Sequence, residues 1–298
     1  MKILINRKPV SGPWGGGNLF VSSFCDFMRS KGHEVVHNFS EDLDLIFMQD
    51  PRYSDLGISI NEIALFKGTY PSVKVIHRIN ECDARKGTND MDSLLRECSK
   101  ITDHTVFVSN WMRDYHLEKG WNCNETSVVY NGTNKDHFKP GKRLENGKVN
   151  LVTHHWSDNP LKGADVYDEL DAWVGDNTDF TFTYIGRYSR PLCNSVLIPP
   201  LAGKDLGHEL SKYDIYISGS RFDPGPNHVI ESIAAGLPTL VHFEGGGAVE
   251  FAGKHYAFRG FEEMINLIKN LPDQKNDLVP SSWEECMSNI LNVLEATA

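Results

Sequence analysis

Two carboxylates that lie eight residues apart, Asp223 and Glu231, are side chains that could bind a polar substrate. They belong to the stretch DPGPNHVIE, which runs from residue 223 to residue 231. Carboxylates accept hydrogen bonds from sugar and ribose hydroxyls, so the pair indicates a site for a sugar or a nucleoside. The alternative is that two acidic residues simply mark the solvated start of a helix.

The residues around this pair predict a strand, a helix and a second strand. Residues 214–217 are apolar and β-branched, which is typical of a buried parallel strand. A helix is predicted from 229 to 235, and Gly236-Leu237-Pro238 has the form of a helix stop before the strand at 239–241. In such a βαβ unit, ligands bind at the carboxyl ends of the strands, beside helix N-termini.

The joined run resembles the E-x7-E signature of glycosyltransferase family 4, with aspartate in the first place, and SIAAGLPTL follows it as in that family. The resemblance implies a retaining nucleotide-sugar transferase of the GT-B fold, with two doubly wound, Rossmann-like α/β domains facing a central cleft. It also implies that Glu231 binds the ribose hydroxyls and Asp223 the donor sugar. The donor substrate would be a UDP-, GDP- or ADP-linked sugar, with no permanently bound cofactor and no metal.

Within residues 73–83 an apolar strand ends directly in a string of polar groups that begins at His77, and this is where an open α/β sheet places its binding residues. A histidine inside such a strand is often a hydrogen-bonded core residue. The segment HRINECDARKG, however, looks like the family segment whose histidine points to the donor sugar, which implies that role for His77. Arg78, Asn80 and Asp83 are then candidates for contacts with the acceptor.

Two glycine-rich turns and one asparagine complete the expected binding residues. A glycine-rich loop at 11–18 lets backbone approach a ligand, and the resemblance implies that Gly16 and Gly17 lie near the donor phosphates and the acceptor. A second turn, at 244–250, resembles the family turn whose amides approach the donor. Gly246 and Gly247 are therefore predicted to bind the donor, together with Asn227, which leads into the predicted helix.

The positive charges that a diphosphate requires are only partly accounted for. In the family, an arginine at a strand end and a lysine in a K-G turn hold the donor diphosphate, and Lys162-Gly163 matches the lysine and its glycine. The arginine position falls near Trp156, which carries no charge. Arg187, at the end of the next predicted strand, or Arg221 could supply the missing cation, and the sequence leaves both open.

Neighbouring histidines do not by themselves predict a metal site. His154 and His155 are adjacent in a predicted strand, where successive side chains point to opposite faces, so we expect them not to converge on an ion.

The domain organisation follows from changes in composition. Residues 141–148 are polar and contain glycine, so the predicted boundary divides a first domain, 1–145, from a second, 146–280. The resemblance implies that the first lies on the acceptor side and that the second binds the donor. Residues 281–298 form an amphipathic helix, and the resemblance implies that it crosses back to the first domain.

Composition and charge limit the partners. The 298 residues carry a net charge of −10, which argues against a nucleic acid as the main partner. No apolar run approaches the ~20 residues of a membrane span, although peripheral membrane contact stays open. Six scattered cysteines without a C-x-x-C pair, in a chain with no predicted export signal, indicate reduced thiols and a cytoplasmic protein. The oligomeric state is not addressed by the sequence.

The predicted function is transfer of a sugar to an acceptor hydroxyl in a glycan, a lipid or a small molecule. The catalytic residues would be His77, Lys162, Asp223 and Glu231. Two alternatives remain: a nucleotide-sugar-binding protein that has lost turnover, favoured by Trp156 and by aspartate in place of the first glutamate, and a GT-B nucleotide-sugar epimerase.

Overall fold

The chain folds into two α/β units. The computed structural model describes residues 1–10, 15–121, 123 and 125–298. Ser11–Trp14, the first half of the predicted glycine-rich loop, lie outside the described residues. Unit 1 comprises Met1–Asn131 and Trp283–Ala298, and unit 2 comprises Gly132–Ser282.

Unit 1 is built on a parallel sheet. In its described part the strand order is β2-β1-β3-β4-β5-β6, and each neighbouring pair is parallel. Its elements are β1 (Lys2–Ile5), α1 (Gly16–Ser30), β2 (Glu34–Val36), β3 (Leu45–Met48), α2 (Ile60–Thr69), β4 (Lys74–Ile79), α3 (Asp83–Lys86), α4 (Met91–Cys98), β5 (His104–Phe107), α5 (Asn110–Glu118) and β6 (Glu125–Val128).

Apolar side chains cover both faces of the unit 1 sheet. Ile3, Ile5 and Phe47 belong to one buried cluster with residues of α1. The intervening side chains, Leu4 and Ile46, belong to a second buried cluster that includes residues of α2. Because successive strand residues point to opposite faces, this alternation shows a sheet buried by helices on both sides.

Unit 2 repeats the same architecture. The described strands follow the order β12-β11-β10-β7-β8-β9 and are all parallel. The elements are β7 (Val149–His155), α6 (Ala164–Asp176), β8 (Phe180–Gly186), β9 (Val196–Ile198), α7 (Gly203–Leu210), β10 (Ile215–Ser218), α8 (Asn227–Ala234), β11 (Thr239–His242), α9 (Gly247–Ala252), β12 (Ala257–Phe258) and α10 (Phe261–Lys269), with 3-10 turns at Pro160–Lys162 and Lys254–Tyr256.

The helix stop after α8 forms as predicted. Gly236 has a φ of 78°, a left-handed conformation that favours glycine, and its N–H donates to the Ile233 carbonyl. The Leu237 N–H donates to the Ser232 carbonyl at 3.1 Å. Pro238 then cannot continue the helix, and β11 begins at Thr239.

The segment that we expected to link the domains packs on unit 2 instead. Phe138 is buried in the unit 2 core. Arg143 donates to the backbone carbonyls of Ser211 and Gly236, at 3.0 and 2.8 Å. The division between the units therefore falls after Asn131, earlier than the expected boundary at residue 145. Polar composition suggested a free linker, but the Arg143 side chain and the Leu144 N–H, which donates to the Lys212 carbonyl at 2.8 Å, bond this segment to unit 2.

The final helix, α11 (Trp283–Thr297), belongs to unit 1. Its buried side chains share a cluster with α1 and the sheet, which includes Cys286, Met287, Ile290 and Leu294. Trp283 lies edge-on to Phe20 of α1, with ring centroids 6.4 Å apart. The apolar stripe of α11 is thus part of the unit 1 core.

A search of the described helices for one long and apolar enough to cross a membrane found none.

Candidate functional site

The unit 2 sheet has a crevice where its strand order reverses. From β7 the chain proceeds outward through β8 and β9, and it then returns to the other side of β7 with β10. In open α/β sheets, ligands bind outside the carboxyl ends of the two strands at such a point, here β7 and β10. Asp223 and Glu231 follow β10, and Lys162 follows β7.

The turn that carries Lys162 requires glycine at the position that follows it. Lys162 ends a 3-10 turn whose N-cap, Asn159, accepts a hydrogen bond from the Leu161 N–H at 2.9 Å. The next residue, Gly163, has a φ of 95°, and a Cβ added to it would lie 2.4 Å from the backbone carbon of Gly219. Gly219 follows β10, so close backbone packing fixes Lys162 above the crevice.

Lys162 and Asp223 form an ion pair at this place. The Lys162 Nζ lies 3.0 Å from the Asp223 Oδ2, and the two side chains are only 18% and 9% exposed. The Ser220 hydroxyl donates to the same carboxylate oxygen at 3.3 Å. The predicted cation and the first predicted carboxylate are therefore in contact.

Glu231 is held by a histidine from β7. The His154 Nε2 lies 2.9 Å from the Glu231 Oε2. Since an ionised carboxylate only accepts, the Nε2 carries the hydrogen and donates it. Sequence reasoning assigned no binding role to His154, although a polar residue near the end of an apolar central strand was the available signal.

Asn227, predicted to bind the donor, is the first residue of α8. Its backbone N–H donates to the Gly225 carbonyl at 3.0 Å. The helix start thus lies beside Asp223, one turn before Glu231.

A histidine cluster lies behind the two carboxylates. The His228 Nε2 is 2.8 Å from the Ser218 hydroxyl, and its Nδ1 is 3.9 Å from the Asp223 Oδ2. The rings of His154 and His155 lie 6.3 and 4.9 Å from the His228 ring. Both histidines therefore lie near the His228 ring. In the part of the chain that the structure describes, no group of three or more His, Cys, Asp or Glu side chains could hold a metal ion.

The second glycine-rich turn is bonded to the backbone of Asp223. The Asp223 N–H donates to the Gly245 carbonyl at 3.2 Å, and the Gly247 N–H donates to the Asp223 carbonyl at 2.9 Å. Gly246 has a φ of 67°, which only glycine adopts readily. The Gly247 N–H thus bonds the turn to Asp223, and donor binding by Gly246 and Gly247 stays a prediction.

The structure separates the two candidates for the missing cation. His155 pairs with Gly186 in the β7–β8 register, so Trp156 and Arg187 leave the sheet side by side. The Arg187 guanidinium lies over the Trp156 ring, 4.3 Å from its centroid. Arg221 instead makes two hydrogen bonds to the Asp165 carboxylate, at 2.9 and 2.6 Å. Arg187 therefore places a positive charge at the position where the sequence has tryptophan.

His77 lies inside unit 1 and has no exposed surface. Neither ring nitrogen has a hydrogen-bond partner among the described residues. Burial lowers the pKa of His77 to about 3, so the imidazole is neutral at pH 7. The strand continues through Arg78 to Ile79, so His77 is not at the strand end that the sequence suggested. Its contact with a donor sugar stays a prediction.

Gly16 and Gly17 form the first turn of α1 in unit 1. A Cβ added to Gly17 would lie 3.9 Å from the side-chain amide nitrogens of Gln49 and Asn80. These glycines belong to the carboxyl edge of the unit 1 sheet.

Comparison with known structures shows what this architecture is similar to. Neither a protein-family model nor a curated protein sequence matches the chain. Among solved structures, Anabaena HepE in complex with UDP and glucose superposes with a TM-score of 0.75 at 14% identity, over 99% of this chain and 100% of HepE. The chain has the GT-B fold. Sucrose-phosphate synthase from Thermosynechococcus elongatus gives a TM-score of 0.66 at 13% identity, over 99% of this chain and 95% of the synthase.

A third structure shares the GT-B fold over part of its length. TarM gives a TM-score of 0.59 at 13% identity, over 85% of this chain and 53% of TarM. Identities this low establish the fold alone, and the two doubly wound strand orders of units 1 and 2 agree with it.

Proposed function

We propose that the chain is a retaining glycosyltransferase of the family 4 type, which moves a sugar from a nucleotide diphosphate sugar to an acceptor hydroxyl. The observation that carries the proposal is the convergence of Lys162, Asp223 and Glu231 at the carboxyl edge of β7 and β10. HepE has been solved in three complexes: with UDP and glucose, with UDP, and with UDP-glucose. These complexes support a UDP-linked sugar as the first donor to test.

Glu231 is suited to bind the ribose hydroxyls of the donor. Its Oε2 accepts a hydrogen bond from His154, which fixes the orientation of the carboxylate. Its other oxygen can then accept from vicinal hydroxyls, because an ionised carboxylate has about four acceptor sites. His154 acts in this proposal as a positioning residue.

Lys162 and Arg187 are proposed to stabilise the leaving diphosphate. Negative charge builds on this group in the transition state, and cations placed there in advance lower the barrier most. Before the donor binds, Asp223 compensates the Lys162 charge at 3.0 Å. An incoming diphosphate would share Lys162 with Asp223, and the carboxylate would accept from the donor sugar through its remaining acceptor sites.

The proposed reaction needs no enzymic nucleophile. The acceptor hydroxyl attacks on the face that the diphosphate leaves, and the departing phosphate takes the acceptor proton, which retains the anomeric configuration. We also propose that the reaction requires no metal and that His77 positions the donor sugar. A cytoplasmic location is part of the proposal, and it is supported by six cysteines that are present as thiols.

The first experiment is a thermal-shift screen of the purified protein with UDP, GDP, ADP and their common sugar conjugates. A ligand that binds only the folded state raises the melting temperature, so one nucleotide should stand out. The donor that it identifies is then assayed for sugar transfer to a panel of hydroxyl acceptors. No shift at millimolar concentrations of any nucleotide would refute the donor site.

Substitutions then test the assigned residues. Lys162→Ala and Glu231→Ala should each lower kcat/KM by about 10²-fold or more, since each removes charge stabilisation or positioning in the transition state. Lys254→Ala and Glu262→Ala are matched controls, because both side chains are exposed in unit 2, and they should leave kcat/KM unchanged. Activity near that of the wild type in both site variants would contradict the assignment.

The same assays separate the alternatives. Trp156, in place of the family arginine, favours the hypothesis of a protein that has lost turnover. Such a protein would respond to a nucleotide in the thermal-shift screen but transfer no sugar. An epimerase would convert the sugar of the donor to an isomer without any acceptor.

A further inference from the structure

Unit 1 has its own crevice at the reversal of its strand order. The strand β1 lies between β2 and β3, and the chain after β3 continues outward through β4, β5 and β6. The reversal therefore lies between β1 and β3, where α/β sheets bind ligands. The first turn of α1 follows β1, Gln49 follows β3, and Arg78 lies near the end of β4.

Arg78 is a buried cation with unused hydrogen-bond donors. Its side chain is 2% exposed and lies over the Phe20 ring, 3.8 Å from the centroid. Of its five N–H groups, one from Nη1 donates to the Gln49 Oε1 at 3.2 Å and one from Nη2 donates to the Asn131 Oδ1 at 2.5 Å. The Nε has no partner among the described residues.

The charge of Arg78 is not compensated within the described part of unit 1. Burial lowers the pKa of Arg78 to about 10, so the guanidinium remains charged at pH 7. Both of its hydrogen-bond acceptors are neutral amide oxygens. The carboxylate of Asp50, next to Gln49, is instead bonded to Arg7 and Arg52, each at 2.8 Å. A buried charge without a counter-ion is costly, and an anionic ligand would remove that cost.

Further donors face the same place. The amide nitrogens of Gln49 and Asn80 lie 3.9 Å from a Cβ built on Gly17, so they border the small space in front of that glycine. The Asn6 Oδ1 accepts from the backbone N–H of Gln49 at 2.7 Å, which fixes Gln49 at the end of β3.

The N-terminus of α1 contributes backbone N–H donors and the positive end of the helix dipole, both of which favour an anion. This helix has 15 residues, no side chain among the described residues caps its first turn, and that turn has no acidic residue. The first N–H groups of a helix have no partner within the helix and favour negative charge. Gly17 belongs to this first turn and is exposed, so the space in front of it is open to a ligand.

We propose that the crevice of unit 1, formed by Gly17, Gln49, Arg78 and Asn80, binds a phosphate or carboxylate group of the acceptor substrate. The part of this statement that concerns the acceptor rests on the proposed glycosyltransferase function. The acceptor is therefore a molecule that carries both a hydroxyl and an anionic group, and Arg78 provides the charge that selects it.

The test measures binding of inorganic phosphate to the whole protein by thermal shift, without any catalytic assay. Phosphate is titrated against sodium chloride at equal ionic strength, in the presence of saturating UDP, which occupies the donor site. The wild type should show a saturable rise in melting temperature that chloride does not give. A parallel titration with acetate tells which of the two anionic groups binds more tightly.

Two variants assign the phosphate response to this crevice. Arg78→Gln should weaken phosphate binding at least tenfold. Gly17→Val projects a side chain into this space, and its Cβ meets only ordinary contacts; it should abolish the response even if Arg78→Gln fails to fold. Lys31→Gln, at the opposite end of α1, removes the same unit of charge and should bind phosphate as the wild type does.

The outcomes separate the anion site from the proposed function. A response to phosphate that is no larger than the response to chloride overturns the proposal, and so does an unchanged response in Gly17→Val. If phosphate raises the melting temperature of the free protein but saturating UDP abolishes the effect, the group bound is the donor diphosphate, and the assignment to the acceptor is refuted. Failure of UDP itself to bind would count against the glycosyltransferase function, while the phosphate titration would still decide the anion site.

Discussion

Substitution of Lys162 tests the ion pair at the centre of the unit 2 site. In Lys162→Met, the methylene stem is largely kept and the charge is removed. The Asp223 carboxylate, 9% exposed, then loses the ammonium that lies 3.0 Å from it. We expect this variant to lose activity, because the transition state loses a stabilising charge, and to lose stability, because the buried carboxylate loses its cation.

The size of the stability effect follows from the geometry. Removing one member of a buried ion pair costs roughly 3–5 kcal/mol, and we expect the lower end, about 3 kcal/mol, because Lys162 is 18% exposed. For a unit of 150–250 residues, 1 kcal/mol corresponds to roughly 2–4 °C in melting temperature. The expected decrease is therefore about 6–12 °C.

A double variant separates stability from function. In Lys162→Met combined with Asp223→Asn, no charge is left unpaired, so the melting temperature should return to within about 3 °C of the wild type. Activity should stay about 10²-fold or more below the wild type, because the diphosphate still lacks its cation. Melting is measured by differential scanning fluorimetry and transfer with the identified donor. A single variant that keeps its melting temperature, or a double variant that regains activity, would refute this reasoning.

Three further predictions concern other positions. Gly163→Ala should destabilise the protein by roughly 2–4 kcal/mol in urea unfolding, because the new Cβ is strained at a left-handed φ and meets the backbone of Gly219. Gly147 also has a left-handed φ, 72°, but nothing lies within 4 Å of an added Cβ, so Gly147→Ala should cost only about 1–2 kcal/mol. Equal costs in the two variants would contradict the packing argument. Arg187→Ala should lower kcat/KM about 10-fold or more in the transfer assay, whereas Arg190→Ala should not change it; the reverse order would reject Arg187 as the second cation. His77 has a pKa of about 3 in the folded protein and 6.5 in the unfolded chain, so the unfolded state binds more protons between these two pH values, and the free energy of unfolding decreases as pH falls through that window. His77→Leu should reduce the slope of unfolding free energy against pH by up to about 1.4 kcal/mol per pH unit, as measured by unfolding at several pH values. An unchanged slope would contradict the burial of a neutral imidazole.

Features that depend only on residues close together along the chain were predictable from the sequence. The apolar runs predicted the central strands, and Gly236 followed by Pro238 predicted the end of α8. Ser109 precedes α5 as a residue type that favours the N-cap, and its hydroxyl accepts from the Met112 N–H at 3.1 Å. Such features are readable because strand alternation, helix caps and left-handed glycines are local backbone preferences.

Contacts between distant residues were decided only by the tertiary structure. His154 and Glu231 are far apart in the chain and meet because β7 and α8 border the same crevice. Arg187 reaches Trp156 only through the register of β7 and β8, since a shift of one residue would turn its side chain to the other face.

The position of a residue relative to the core was also decided by the tertiary structure. The strand pattern placed His77 among polar residues at a sheet edge, but β4 pairs with β3 as far as His77 and with β5 beyond it, and His77 is completely buried. Arg78, next to it, turns to the opposite face and lies over Phe20. Local patterns fix which residues form strands and helices, whereas burial and charge compensation depend on what packs against them.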